Sequence, residues 1–327
     1  MTGAGGFVGQ WLCAELLRDG WDVHGATLGG APVGGTLKAW QRDAVLWYDV
    51  DLRDTDDVAA TVDAARPDAV FHLAAVSHVP AAGADPGVSW STNVGAAQAL
   101  LGVVSSRRAA GVLDPVVVIA GSCEQYGAHP AAELPLGEGA EQRPATVYAE
   151  TKVAQEAAAI SCWRETGTRV IAARPFSHSG PGQPSTFLLP SLVRRAREAV
   201  ERGLDTIAIG NPSVVRDFLH VEDVARAYIC LALRGEPGQA YNICSGVGTS
   251  VADLAALVIR AAAESARTAF VSQPVHAVRA VPDPELMRPV DVPVLVGNPA
   301  KLTAGTTWEP KHTLDMAIRD MIYYDEH

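Results

Sequence analysis

Thr2-Gly3-Ala4-Gly5-Gly6-Phe7-Val8-Gly9 opens the chain, and the apolar spacing of Val8, Leu12 and Leu16 behind it reads as a helix. Glycines at 3, 6 and 9 remove the Cβ atoms where the backbone must approach another group closely. The helix start that follows offers free N–H groups at the positive end of a dipole. Together these make a cradle for a pyrophosphate, with Gly3, Gly6, Phe7, Val8 and Gly9 against a dinucleotide. Taken alone, a glycine turn in an ordinary strand–helix unit reads the same way. Such a cradle follows a strand, yet only Met1 precedes it here, so an apolar strand encoded upstream of Met1 is expected.

Outward from this start, short strand-like runs fall at Trp21–Ala26, Ala44–Tyr48, Ala69–Leu73, Pro115–Ala120 and Arg169–Ala173. Helical stretches lie between them at Gly9–Asp19, Thr55–Ala65 (N-capped by Asp54), Asn93–Arg107 and Val147–Glu165. Val116-Val117-Val118-Ile119 is apolar at every position, as in a parallel strand covered on both faces. The expected fold is α/β: a Rossmann-type doubly wound parallel sheet over residues 1–173, then a smaller C-terminal substrate lobe over 174–327. In the second half the sequence predicts helices around Ser191–Arg202, Val221–Arg234 and Leu314–Tyr324, and a strand at Ala240–Cys244. A Ser250…Asp253 capping box opens one more helix through about Ala263. Elements between about 205 and 245 return to the main sheet.

The 327 residues are 48% hydrophobic and 19% charged, the balance of a folded enzyme rather than a disordered chain. A net charge of -11 without basic runs argues against nucleic-acid or anionic-membrane surfaces. An anionic substrate must then be met by individually placed Arg, Lys and helix N-termini. No apolar run approaches the roughly 18 residues of a membrane span, and no signal peptide is evident, so a cytoplasmic protein is expected. Five cysteines without C-x-x-C spacing give no zinc or redox motif, and no metal is expected.

Tyr148-Ala149-Glu150-Thr151-Lys152 places a phenol and an ammonium one helical turn apart on one face. A tyrosine titrating near its usual value of about 10 is a poor acid–base catalyst, and a neighbouring ammonium is expected to lower that value. Tyr148 then exchanges a proton with a substrate oxygen while a nicotinamide exchanges hydride, and Lys152 also reaches the nicotinamide ribose. An exposed Tyr–Lys helix pair is the bland alternative. The strand ending at Ala120 leads into Gly121-Ser122-Cys123-Glu124, at the end of a parallel sheet where ligands bind. Ser122 is placed to bond the reacting carbonyl, Glu124 to act as a base or to accept a substrate hydroxyl, and Cys123 to fill space. For the cofactor, Val23–Gly30 holds neither an acid for a ribose hydroxyl nor an Arg for a 2′-phosphate. The missing acid favours NADP(H), with NAD(H) possible. Asp51 and Leu52 either contact the adenine or form a helix-entry turn.

In this order the pieces resemble the extended short-chain dehydrogenase/reductases that modify nucleotide sugars. The matching stretches are Thr2–Gly9, His72-Leu73-Ala74-Ala75, Ser122–Gly127, Tyr148 with Lys152, and Arg174-Pro175-Phe176, spanning nearly the whole chain. The resemblance implies that Leu73, Ala74 and Ala75 line the cofactor, that Asn93 supports the active-site helix, and that a homodimer packs through helices near 93–107 and 147–165. Lys152–Glu156, Arg174–Gln183, Val215–Phe218, Arg288–Pro293 and Trp308–Pro310 are most similar to the GDP-mannose 4,6-dehydratase-like branch, which includes the reductases of GDP-4-keto-6-deoxyhexoses. This implies a GDP-linked deoxysugar substrate, with Arg216 and Arg288 clamping its diphosphate, where guanidinium forks suit phosphate geometry. A structural salt bridge is the alternative for each. Ser177 stands as a substrate contact where the family has Asn, and Cys123 where Ser is usual. A reductase, a 4,6-dehydratase using Glu124, a 4-epimerase and a cofactor-binding sensor share these groups. The presence of both Tyr148 and Lys152 disfavours the sensor.

Overall fold

The computed structural model of the chain describes residues 1–268, 277–288 and 290–324. The first half builds strands β1 (His24–Thr27), β2 (Leu46–Asp49), β3 (Ala69–His72), β4 (Val116–Ala120) and β5 (Val170–Pro175). Among them lie helices α1 (Phe7–Arg18), α2 (Ala39–Ala44), α3 (Thr55–Ala65), α4 (Val79–Ala84), α5 (Pro86–Trp90), α6 (Ala96–Ala109) and α7 (Val147–Thr166). Strands β6 (Ser177–Ser179), β7 (Thr206–Ile209), β8 (Val215–His220), β9 (Ala240–Ile243), β10 (Gly248–Ser250), β11 (Arg279–Pro282) and β12 (Val294–Leu295) follow. They are accompanied by helices α8 (Leu188–Arg202), α9 (Val221–Arg234), α10 (Val251–Thr268), α11 (Ala300–Thr306) and α12 (Leu314–Tyr323).

β3, β4, β5 and β9 pair in that order, all parallel, and β1 pairs with β2, also parallel. Met1–Gly3 joins the two pieces, with Thr2 bridging in parallel to Ala26 on one side and to His72 on the other. The chain therefore winds outward in opposite directions from Thr2, which makes it the switch point where open α/β sheets bind ligands. Behind Thr2 the sheet opens into a cavity of about 480 Å³ between β1 and β3, lined by Val23, Val50, Val62, Val70, Phe71 and Leu100 among others. Of the strand expected to precede the glycines, Thr2 is the residue in place.

Apolar packing covers both sheet faces. On one, Leu12 and Leu16 of α1 meet Val224 and Tyr228 of α9 over Val118 and Ile171. On the other, Val58 and Val62 of α3 and Leu100 and Val104 of α6 close over Val117 and Ile119. Local chemistry sets the helix ends. Asp54 accepts from the N–H groups of Asp56 and Asp57 at the start of α3. Thr146 caps α7, which stops at Gly167 in the left-handed region. Ser250 caps α10, its hydroxyl accepting from the Asp253 N–H and donating to the Asp253 carboxylate. A wider turn, Ser91–Gly95, replaces the regular start expected for α6 at Asn93.

The C-terminal half has its own core, in which Leu192 and Ala196 of α8, Leu254 and Val258 of α10, and Ile318 and Ile322 of α12 pack together. Its strands β6, β10 and β12 all pair with β8, and β11 pairs with β7. Within residues 205–245, α9 packs on α1, and β9 extends the main sheet beside β5. Among the described residues no helix is long and apolar enough to cross a membrane.

Candidate active site

The glycine loop sits at the switch point. Gly3 has a φ of 68°, and a Cβ there would meet the Ala74 nitrogen at 2.7 Å. A Cβ on Gly9 would run into the Gly3 carbonyl oxygen. The loop's own backbone is therefore packed where side chains do not fit, against Ala74 on one side and the first turn of α1 on the other. Gly6 caps α1 without a side-chain partner for the helix N–H groups. Those amides at a positive dipole end, on a surface bare of Cβ atoms, fit the pyrophosphate of a dinucleotide. Thr2 Oγ1 bonds His72 Nδ1 at 2.9 Å and accepts from the Ala74 N–H at 3.4 Å, fastening Leu73-Ala74-Ala75 beside the glycines. Asn93, fully buried, accepts from the Val76 N–H at 2.8 Å and donates to Thr151 at 2.9 Å, tying this segment to α7.

The first two turns of α7 carry Tyr148 and Lys152, both buried. Lys152 Nζ donates to the Ala120 carbonyl at 2.7 Å and to Gln155 Oε1 at 2.9 Å, and stands 6.0 Å from the centre of the Tyr148 ring. The Ser122 side chain lies close enough to the Tyr148 phenol to act on its charge. Ser122 Oγ also accepts the Glu124 N–H at 3.2 Å, and Glu124 is half-buried beside it. The structure thus brings Ser122, Glu124, Tyr148 and Lys152 together at the carboxyl end of β4. His72 is close enough for the Lys152 charge to act on it, and burial holds its imidazole down to about 3, hence neutral.

One sequence expectation is reversed. The Tyr148 phenol is pushed up, not down, because burial penalises the phenolate more than the Ser122 side chain helps it. Lys152 is itself desolvated, with its value lowered to about 7, so it is a weaker source of positive charge than the spacing implied.

The remaining predicted residues are more scattered. Asp51 is held by Arg53 at 2.6 Å, which lowers its carboxyl to about 2, in the turn before Asp54. Leu52 packs with the α3–α6 core. Ser177 and Arg216 lie on the paired strands β6 and β8. Arg216 is within electrostatic reach of Cys123, next to Ser122. Its guanidinium donates to Asp291 at 2.7 Å and to the Val292 carbonyl at 2.7 Å, so its fork is engaged within the C-terminal half. Arg288 is exposed in the loop after Pro284–Leu286, and Pro289 of its motif lies outside the described residues. Cys123 is buried with Tyr126, Phe176 and Cys244, which pushes its thiol up and makes it inert filler. Gln155, the second anchor of Lys152, was not singled out from the sequence, although an amide three residues on along a helix is within reach of the lysine.

The profile of the GDP-mannose 4,6 dehydratase family matches residues 1–321. The GDP-6-deoxy-D-mannose reductase of Pseudomonas aeruginosa is 33% identical over 258 residues, covering 78% of this chain and 79% of that protein. Among solved structures, RMD from Pseudomonas aeruginosa in complex with NADPH superposes with a TM-score of 0.79 at 30% identity, over 98% of this chain and 95% of that one. The Thermus thermophilus UDP-glucose 4-epimerase in complex with NAD gives 0.79 at 27% identity, over 98% and 96%. The chain belongs to the GDP-mannose 4,6-dehydratase family of extended short-chain dehydrogenase/reductases.

Proposed function

We propose that this enzyme reduces the 4-keto group of a GDP-4-keto-6-deoxyhexose to give a GDP-6-deoxyhexose of the GDP-rhamnose type. The observation that carries the reading is the buried Ser122–Tyr148 contact, with Lys152 anchored one turn further along α7 beside a glycine cradle that fits a dinucleotide. The likeness to a GDP-6-deoxy-D-mannose reductase supports the substrate class, and the NADPH in the structure of RMD supports NADP(H) over NAD(H). Residues 1–173 would bind the dinucleotide, with Gly3, Gly6, Phe7, Val8 and Gly9 at its pyrophosphate and Leu73, Ala74 and Ala75 along it. Residues 174–327 would mainly hold the sugar nucleotide, through Ser177, Arg216 and Arg288. Arg216 must then exchange Asp291 for a phosphate.

A bound reduced nicotinamide supplies hydride; the chain's own residues do the rest. Tyr148 Oη gives its proton to the substrate's C4 oxygen. The Ser122 hydroxyl keeps accepting the Glu124 N–H and would turn its own hydrogen from Tyr148 to that same oxygen, holding it in place. Lys152 supports Tyr148 and the nicotinamide ribose. Burial keeps water away from the transfer and keeps Tyr148 protonated, which is the form a donor needs. In this reading the enzyme acts in the cytoplasm as a homodimer packed through α6 and α7, whose half-buried Ala154 and Ala158 permit close approach.

Glu124 supports a second reading. A half-buried carboxylate close enough to act on the Tyr148 charge is what a 4,6-dehydratase needs to remove a C5 proton. Absorbance at 340 nm separates the two. With NADPH and GDP-4-keto-6-deoxymannose made in situ, one equivalent of NADPH is expected to disappear per keto sugar reduced, and NMR then reads the C4 configuration. Conversion of GDP-mannose to the keto sugar without added reductant, and without NADPH loss, would replace the reductase by the dehydratase.

A further inference from the structure

Beneath the catalytic loop lies a polar chain that the proton and hydride transfers do not use. The Ser122 backbone N–H donates to Gln125 Oε1 at 2.7 Å. The Gln125 amide donates in turn to Glu156 Oε2 at 2.9 Å. Glu156 is clamped by Arg174, from Nε to Oε2 at 2.9 Å and from Nη2 to Oε1 at 2.5 Å. Gln142 adds a bond to Oε1 at 3.1 Å. Arg174 further donates to the Tyr126 hydroxyl at 2.8 Å and to the Glu138 carbonyl at 3.0 Å. Gln125 is fully buried, Arg174 is 5% exposed and Glu156 8%.

Three features give this chain a job beyond holding the fold. A buried ion pair contributes little net stability against apolar residues of the same volume, so its presence calls for a role in specifying geometry. The Gln125 side chain lies where a Cβ on Gly121 would be, so the loop backbone is shaped around that amide. Glu156 also follows Tyr148 and Lys152 at four-residue steps on α7, along one face. One helix thus carries Tyr148 directly and reaches Ser122 through Glu156 and Gln125. The two ends of the Ser122–Tyr148 contact are fixed to the same rigid rod.

We propose that Gln125 and Glu156 are positioning residues for Ser122, the Glu156–Arg174 pair acting through the Gln125 amide to set the Ser122 hydroxyl opposite Tyr148. The consequence for turnover rests on the reductase reading; the placement itself does not.

The test therefore uses two readouts. One is turnover of the keto sugar. The other is the 13Cζ resonance of Tyr148 in the full chain, assigned by its loss in Tyr148→Phe, with Ser122→Ala giving its position when the serine hydroxyl is gone. Gln125→Leu, which leaves the Glu156–Arg174 pair in place, is expected to lower kcat by about 10- to 100-fold, the cost of misplacing a group by about an ångström. The dinucleotide KM stays unchanged, and the Tyr148 resonance moves toward its position in Ser122→Ala. Glu156→Gln keeps an acceptor oxygen for Gln125 and gives the same changes at smaller size, and it serves if the leucine variant does not fold. A folded Gln125→Leu with unaltered kcat and an unmoved resonance overturns the proposal. A resonance that moves in an enzyme inert on the keto sugar upholds the positioning and rejects the reductase reading.

Discussion

Tyr148→Phe should lose about 100- to 10,000-fold in turnover, the range that one positioned proton donor supplies. The change removes a single oxygen from a side chain only 8% exposed, so the ring still fills its site. The loss falls on kcat because the groups proposed to hold the dinucleotide, from Gly3 to Gly9 and from Leu73 to Ala75, are untouched. Because burial pushes the phenol up, Tyr148 stays a protonated donor well past neutrality, and an alkaline fall in activity near pH 7 or 8 does not belong to it. Stopped-flow measurement of a single turnover at 340 nm, with dinucleotide affinity read separately by fluorescence, checks both statements. A phenylalanine variant that keeps a third of the wild-type rate would remove Tyr148 from the proton path.

Lys152→Met should be nearly as damaging to activity and yet gentle on the fold, in a pH-dependent way. Lys152 is 2% exposed, and burial lowers it from 10.5 to about 7. Between those values the folded chain binds fewer protons than the unfolded one, so stability rises with pH through that window. Each unit of the shift corresponds to about 1.4 kcal/mol, and the penalty is fully present below pH 7. Methionine carries no such penalty but gives up the bonds to the Ala120 carbonyl and Gln155, at about 1 kcal/mol each. The variant should therefore match or exceed the wild type in Tm at pH 6 and fall below it by pH 9. Thermal melts across that range read the crossing. A constant offset would mean that Lys152 keeps its charge at no cost.

The parts of the fold that were legible in the sequence are those written in local periodicity. The glycine loop, the all-apolar run of β4, the caps at Asp54 and Ser250 and the Tyr148–Lys152 spacing are each written within a few consecutive residues. Much of the C-terminal half was not legible, because its strands are defined by distant partners. Ser177-His178-Ser179 has no apolar residue to mark it and becomes a strand only by pairing with Phe218–His220. β7 finds β11 some seventy residues later. The direction of the Tyr148 shift failed for a related reason: spacing along a helix shows that a lysine is near, and says nothing of how deeply both groups are buried. Arg216 shows the same limit. The family resemblance implies a phosphate ligand there, with a salt bridge as the alternative, and the structure shows the carboxylate with which a phosphate would have to compete.

The glycine loop makes the start of the chain intolerant of the smallest possible change. A Cβ on Gly3 would meet the Ala74 nitrogen at 2.7 Å and one on Gly9 would run into the Gly3 carbonyl oxygen, so a single added carbon at either position must push backbone against backbone. Mutational tolerance should therefore be lowest where the chain carries no side chain at all.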